Sequence, residues 1–152
     1  RAELLELVAT VLAERGCEGF IFRGDDGLDE ISLSTTSTIF QINNGEITRH
    51  IFDPSELGLE RVGIEELRGG SPGENAEITR AIFAGKGGPY RQSVLLNAAA
   101  AIAAFKADFH LGLTQQFANG YTLAKQAVDS GAAAQLVERW ANLSTELAKS
   151  SL

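Results

Sequence analysis

Apolar residues recur at helical spacing from the start of the chain. Leu4, Val8 and Leu12 follow at four-residue steps, with Leu5, Leu7 and Val11 on adjacent faces, so residues 2–15 predict a helix that is apolar around much of its girth and expects cover on more than one side. Gly16 and Gly19 bracket its end, and Phe20-Ile21-Phe22 follows as an unbroken apolar run. Such a run marks a strand buried on both faces of a mostly parallel sheet. Ile31-Ser32-Leu33-Ser34-Thr35 then alternates, and residues 38–42 and 46–52 are β-rich segments joined by Asn43-Asn44-Gly45. Asn-Gly supplies the positive φ angles of a tight turn, which predicts an antiparallel hairpin.

Everything beyond the hairpin has helical spacing. Ser71-Pro72-Gly73-Glu74 fits a capping box with proline at the first helical position, opening a helix over about 72–84 that Gly85 ends. A second helix covers about 90–105, with Val94, Ala98, Ile102 and Phe105 as its stripe and small alanines for close packing. Leu113, Phe117, Tyr121, Ala124 and Val128 mark a third, and Leu136, Trp140, Leu143 and Leu147 a fourth, which places Trp140 in the core. Helix, buried strand and several helices together make an α/β chain. A single buried strand needs partners, from residues 31–52, from another chain or from sequence not present here; a lone parallel-type strand favours the last.

Composition narrows the setting. With 152 residues, 44% hydrophobic and 22% charged, the chain can bury a sizeable core as one domain without disulfides or a structural metal. Its one cysteine, Cys17, permits no internal bridge and is expected as a small buried filler, and a reducing, cytoplasmic compartment fits. The net charge is −7 and the 13 basic residues are scattered, so nucleic acid is not an expected partner. No apolar run approaches the ~20 residues of a membrane span, so no membrane is expected either. A start at Arg1, straight into a helical pattern, suggests a piece of something longer.

The densest chemical signal is Gly24-Asp25-Asp26-Gly27-Leu28-Asp29-Glu30, with four carboxylates in six residues directly after the buried strand. Ligands of open α/β sheets bind at the carboxyl ends of strands. Adjacent carboxylates there suit magnesium, which takes one or two of them together with waters and substrate phosphates. A calcium EF-hand is excluded, because its twelfth position counted from Asp25 is Thr36 instead of glutamate. The alternative is a solvated polar turn. Elsewhere, Glu74 in a first helical turn would repel a phosphate, so the segment 69–75 reads as capping, and Gly85–Pro89 lacks P-loop spacing and reads as a helix-to-helix turn. His50 and His110 have no partner at metal or nucleophile spacing.

Asp26-Gly27-Leu28-Asp29-Glu30-Ile31-Ser32 resembles the D-G-L-D-E segment of anthranilate phosphoribosyltransferases. Arg68-Gly69-Gly70 with Asn75-Ala76, then Gly85-Lys86-Gly87-Gly88-Pro89, Val94-Leu95-Leu96-Asn97-Ala98-Ala99-Ala100 and Ala127-Val128-Asp129-Ser130-Gly131 follow in that family's order and spacing. Arg23 stands where the family commonly carries histidine. The resemblance covers essentially the whole chain. It implies that residues 1–152 are the C-terminal portion of a nucleoside phosphorylase/phosphoribosyltransferase-like α/β domain, with a buried strand, a β-hairpin region and several packed helices.

The resemblance also implies an activity: transfer of phosphoribosyl from phosphoribosyl pyrophosphate to anthranilate in tryptophan biosynthesis, with Mg2+ held by Asp29 and Glu30. The family's glycine-rich phosphate loop, lysine segment, anthranilate-contacting arginine and N-terminal helical domain are not found here, so this chain alone is expected to be inactive. A complete enzyme is expected to be a homodimer. Two rivals stand beside this reading. A pyrimidine nucleoside phosphorylase-like enzyme shares the fold type, but D-G-L-D-E points to pyrophosphate-bound magnesium. A non-catalytic nucleic-acid-binding paralogue is opposed by the charge of −7.

Overall fold

A computed structural model describes residues 3–150 as an α/β domain. Helix α1 (Leu4–Glu14) leads into β1 (Gly19–Gly24), β2 (Ser37–Asn43) and β3 (Glu46–Phe52); two 3-10 turns, Pro54–Leu57 and Ile64–Leu67, then lead to α2 (Pro72–Phe83), α3 (Pro89–Lys106), α4 (Leu113–Asp129) and α5 (Ala132–Ser150). Among the described residues the sheet has three strands in the order β1-β2-β3, and both pairings are antiparallel. The expected hairpin is there: Asn43 pairs with Glu46, and Asn44 and Gly45 take φ of 50° and 79°, the left-handed conformation of a two-residue turn.

Residue alternation on β2 explains the layers. Phe40 and Ile42 pack on Leu5 and Ala9 of α1, whereas Ile39 faces Leu96 and Ala100 of α3 and Phe117 of α4. The sheet is therefore a middle layer with helices on both faces. Phe117 centres the larger core, its ring edge-on to Phe20 at 5.3 Å and to Phe52 at 5.2 Å. Such edge-to-face aromatic pairs add ~0.5–1.5 kcal/mol each beyond the area they bury.

Several expectations are corrected. Residues 31–52 supply a partner for the Phe20–Phe22 strand on one edge: β1 pairs with β2 in antiparallel instead of parallel register, Phe20 with Gln41 and Phe22 with Ile39, and its other edge is unpaired among the described residues. An unbroken apolar run reports cover on both faces, and α1 and α3 supply that cover whichever way the neighbouring strand runs. Helix α1 buries only Leu5 and Ala9, leaving Leu4, Leu7, Val8 and Val11 exposed. Residues 31–36 form an irregular loop instead of a strand, although Ile31, Ser32 and Leu33 are fully buried. In α3 the buried face is Leu95, Leu96, Ala99, Ala100 and Ala103, while Val94 and Phe105 lie outside. Cys17 is exposed. Trp140 is 72% exposed, and Leu136, Leu143 and Leu147 are exposed with it, so the apolar stripe of α5 lies on the surface.

The α3–α4 contact is the tightest in the fold. A Cβ added at Gly120 would stand 2.3 Å from the Ala99 carbonyl oxygen, so only glycine allows this approach. Arg91, buried at the start of α3, joins Asp129 at the end of α4 with a 2.5 Å ion pair and fixes the two helices end to end. The capping box predicted for α2 is present, with Glu74 accepting from the Ser71 amide at 2.7 Å and Ser71 Oγ accepting from the Glu74 amide at 3.4 Å.

Candidate functional site

The acidic loop leaves the carboxyl end of β1 and divides its carboxylates by task. Asp26 is an internal brace: its oxygens accept from the Ser32 and Ser34 hydroxyls, both at 2.5 Å, and from the Leu28 amide at 3.1 Å. Partial burial pushes the Asp26 carboxyl up, and the bonds from Ser32, Ser34 and Leu28 outweigh it, leaving Asp26 below the usual carboxylate value. Asp25 accepts from the Thr36 hydroxyl at 2.5 Å and the Thr38 hydroxyl at 3.1 Å, tying the loop to β2. Gly24 has no room for a side chain, since a Cβ there would lie 2.4 Å from Asp26 Oδ1 and 2.9 Å from Ser32 Cβ.

Asp29 and Glu30 behave differently. Both are exposed, and neither makes a hydrogen bond or ion pair among the described residues. Their oxygens are thus free to accept from a ligand. The two side chains line separate concavities. Glu30 borders a cleft of about 670 Å³ between the loop, the second 3-10 turn, α2 and α3, with Arg68, Tyr90 and Asn97 also on its wall. Asp29 borders a smaller one of about 310 Å³, beside Leu5, Val8 and Phe22.

Each acid by itself is a hard carboxylate with open solvent around it, the kind of donor magnesium takes one or two of beside waters and phosphate oxygens. Among the described residues no group of three or more His, Cys, Asp or Glu could hold a metal, which leaves no all-protein cage of the kind calcium or zinc sites use. The structure thus separates the two acids singled out by the sequence, Asp29 and Glu30, from two that are scaffold. Sequence reasoning missed Ser32 and Ser34 as the partners of Asp26, and Asn97, a wall of the larger cleft. The signal for Asn97 was a lone amide among the apolar residues of Leu95–Ala101.

Residues 1–134 match the model of the glycosyl transferase family, a/b domain. The chain belongs to this family. It is 49% identical over 147 residues to an anthranilate phosphoribosyltransferase of Rhodococcus jostii and 47% identical over 137 residues to one of an Arthrobacter species. Those alignments cover 97% and 90% of this chain but 41% and 39% of the relatives, so the chain spans about two-fifths of their length. Among solved structures, the anthranilate phosphoribosyltransferase of Thermus thermophilus superposes with a TM-score of 0.77 at 31% identity, over 92% of this chain and 40% of that one. The enzyme of Saccharomyces cerevisiae, in complex with PRPP and Mg, superposes with a TM-score of 0.79 at 26% identity, over 91% and 39%. The α/β fold expected from the sequence is the fold of these enzymes.

Histidine plays no part in the loop. His50 on β3 has a buried Nε2 without a hydrogen-bond partner, and burial pushes its pKa down, which favours the neutral ring. No helix among the described residues is long and apolar enough to cross a membrane.

Proposed function

We propose that the chain is the C-terminal portion of the catalytic α/β domain of an anthranilate phosphoribosyltransferase. On this reading the complete enzyme, a cytoplasmic homodimer whose N-terminal part supplies the phosphate loop and the anthranilate contacts, transfers phosphoribosyl from phosphoribosyl pyrophosphate to the amino group of anthranilate. The observation that carries the reading is the pair of unengaged carboxylates at the end of β1, in a chain 49% identical to an enzyme of that name.

Asp29 and Glu30 offer carboxylate oxygens to Mg2+ on the pyrophosphate side of the site. What magnesium supplies when bound is neutralisation of the charge that gathers on pyrophosphate as its bond to the ribosyl carbon weakens. The protein's own part is positional. Asp26 and Asp25 lock the turn before the pair, so the two free carboxylates are presented without reorganisation when the donor arrives. The amine of anthranilate is already a nucleophile and needs no covalent help. The relatives favour this reading over a nucleoside phosphorylase or a nucleic-acid-binding paralogue, since those reported above bear the phosphoribosyltransferase name.

The test is Asp29→Asn combined with Glu30→Gln in the complete enzyme. Turnover is expected to fall by ~100-fold or more, with a higher magnesium requirement and an unchanged thermal midpoint, since neither side chain has a partner to lose. Wild-type magnesium dependence in that variant would refute the assignment.

A further inference from the structure

Asp29 and Glu30 are a two-residue span between two anchors. The first is the braced turn, which closes at Leu28: its amide donates to Asp26 and its carbonyl accepts from the Gly24 amide at 2.9 Å. The second is on α3, 66 residues away in sequence. The Ile31 amide donates to Asn97 Oδ1 at 2.9 Å, and the Ile31 carbonyl accepts from Asn97 Nδ2 at 3.1 Å. A side-chain amide carries the same donor and acceptor as a peptide group, so Asn97 grips Ile31 as a paired strand residue would. Its Nδ2 also donates to the Ser93 carbonyl at 3.1 Å, one turn back on α3, which holds the side chain in a single orientation.

Stability alone does not account for this clamp. The Ile31 side chain is fully buried in the main core, so the loop is already attached at that point. Burial is non-directional and leaves the rotation of the adjoining peptide open, whereas paired bonds to both Ile31 backbone groups define it. The peptide that carries the Ile31 N–H is the one that carries the Glu30 carbonyl. Holding that plane restricts rotation about the Glu30 Cα–C bond, and with Leu28 held on the other side it narrows the directions in which Glu30 and Asp29 leave the backbone. Alanine would be the better helix former at this place in α3.

We infer that Asn97 is a positioning residue for the Asp29–Glu30 pair, setting the geometry with which the two carboxylates meet their cation. The inference rests on the magnesium reading above. A partner that orients a metal-binding carboxylate from behind typically contributes ten- to a hundredfold to metal affinity.

The experiment compares Asn97→Ala and Asn97→Asp with Ile102→Ala in the complete enzyme. Ile102 lies partly buried elsewhere on α3 and provides a destabilised control. Asn97→Ala is expected to raise the magnesium concentration for half-maximal turnover about tenfold, leave the KM for anthranilate within about twofold, and speed hydrogen exchange at the Ile31 amide. Asn97→Asp keeps an acceptor for that amide but turns an oxygen toward the Ile31 and Ser93 carbonyls in place of the donor, so it should shift the magnesium requirement in the same direction. Ile102→Ala should lower the thermal midpoint and move neither magnesium dependence nor Ile31 exchange. Faster exchange with an unchanged magnesium requirement in the Asn97 variants would make the clamp purely structural and overturn the inference. If Asn97→Ala fails to fold, Asn97→Asp with wild-type magnesium dependence overturns it equally. The Asp29→Asn, Glu30→Gln enzyme separates the two ideas: lost magnesium dependence there with wild-type Asn97 variants removes only the role of Asn97, whereas retained dependence removes the site and with it anything to position.

Discussion

At the scale of single residues, similar side chains carry opposite roles according to their neighbours. Four carboxylates stand together in the loop, yet two spend their acceptor capacity on hydroxyls and an amide while two keep it free. A second braced acid, Asp53, has a consequence that pH exposes. It joins the Arg61 guanidinium and accepts from the Ser55 amide at 2.9 Å, capping the first 3-10 turn. The bond from Arg61, ahead of the Ser55 contributions, holds the Asp53 carboxyl down at about 2, from an ordinary 3.8. The depressed value means that the unfolded chain takes up a proton first. Whatever stability Asp53 supplies is therefore complete above about pH 4 and is lost as pH falls toward 2. The contribution is small, because the pair is exposed to solvent. Asp53→Asn is expected to lower the thermal midpoint slightly at pH 6 and by much less near pH 2, as scanning calorimetry at both pH values would record.

At the scale of elements, hydrophobic spacing located the helices well and their buried faces less well. Observed α2 and α3 begin and end within one residue of expectation, and Leu113, Phe117, Ala124 and Val128 of α4 are buried as the pattern required. In α3 the larger side chains, Val94 and Phe105, drew the stripe to the wrong side. Helices approach most closely where side chains are smallest, and that approach is what buries Ala99, Ala100 and Ala103. Gly120 makes the approach possible. Gly120→Ala is expected to cost about 1–3 kcal/mol, because the added methyl meets backbone at Ala99 that no rotamer change can move aside. Urea unfolding would show it as a lower midpoint at constant slope. An unchanged midpoint would mean that α3 and α4 are not in contact here.

At the scale of the whole molecule, the chain spans about 41% of the length of the Rhodococcus relative. On the proposed reading Asp29 and Glu30 serve the magnesium–pyrophosphate unit alone, and the contacts to ribose and anthranilate come from sequence not present here. The 152 residues alone are therefore expected to give no product from phosphoribosyl pyrophosphate, anthranilate and magnesium in a turnover assay. Robust product from the isolated chain would show that the active site is complete without further sequence.

The sequence alone determined most of the elements, the hairpin turn and the family resemblance, because each is written in neighbouring residues: helical spacing, Asn-Gly, and a short motif after an apolar strand. Tertiary structure decided what depends on contact across the chain. The direction in which β1 pairs, the face of α3 that is buried, the surface position of Trp140 and the grip of Asn97 on Ile31 are such features. Apolar pattern records only that a side chain prefers cover. Which neighbour provides it, and which amide a distant asparagine will meet, is settled when helices and sheet pack together.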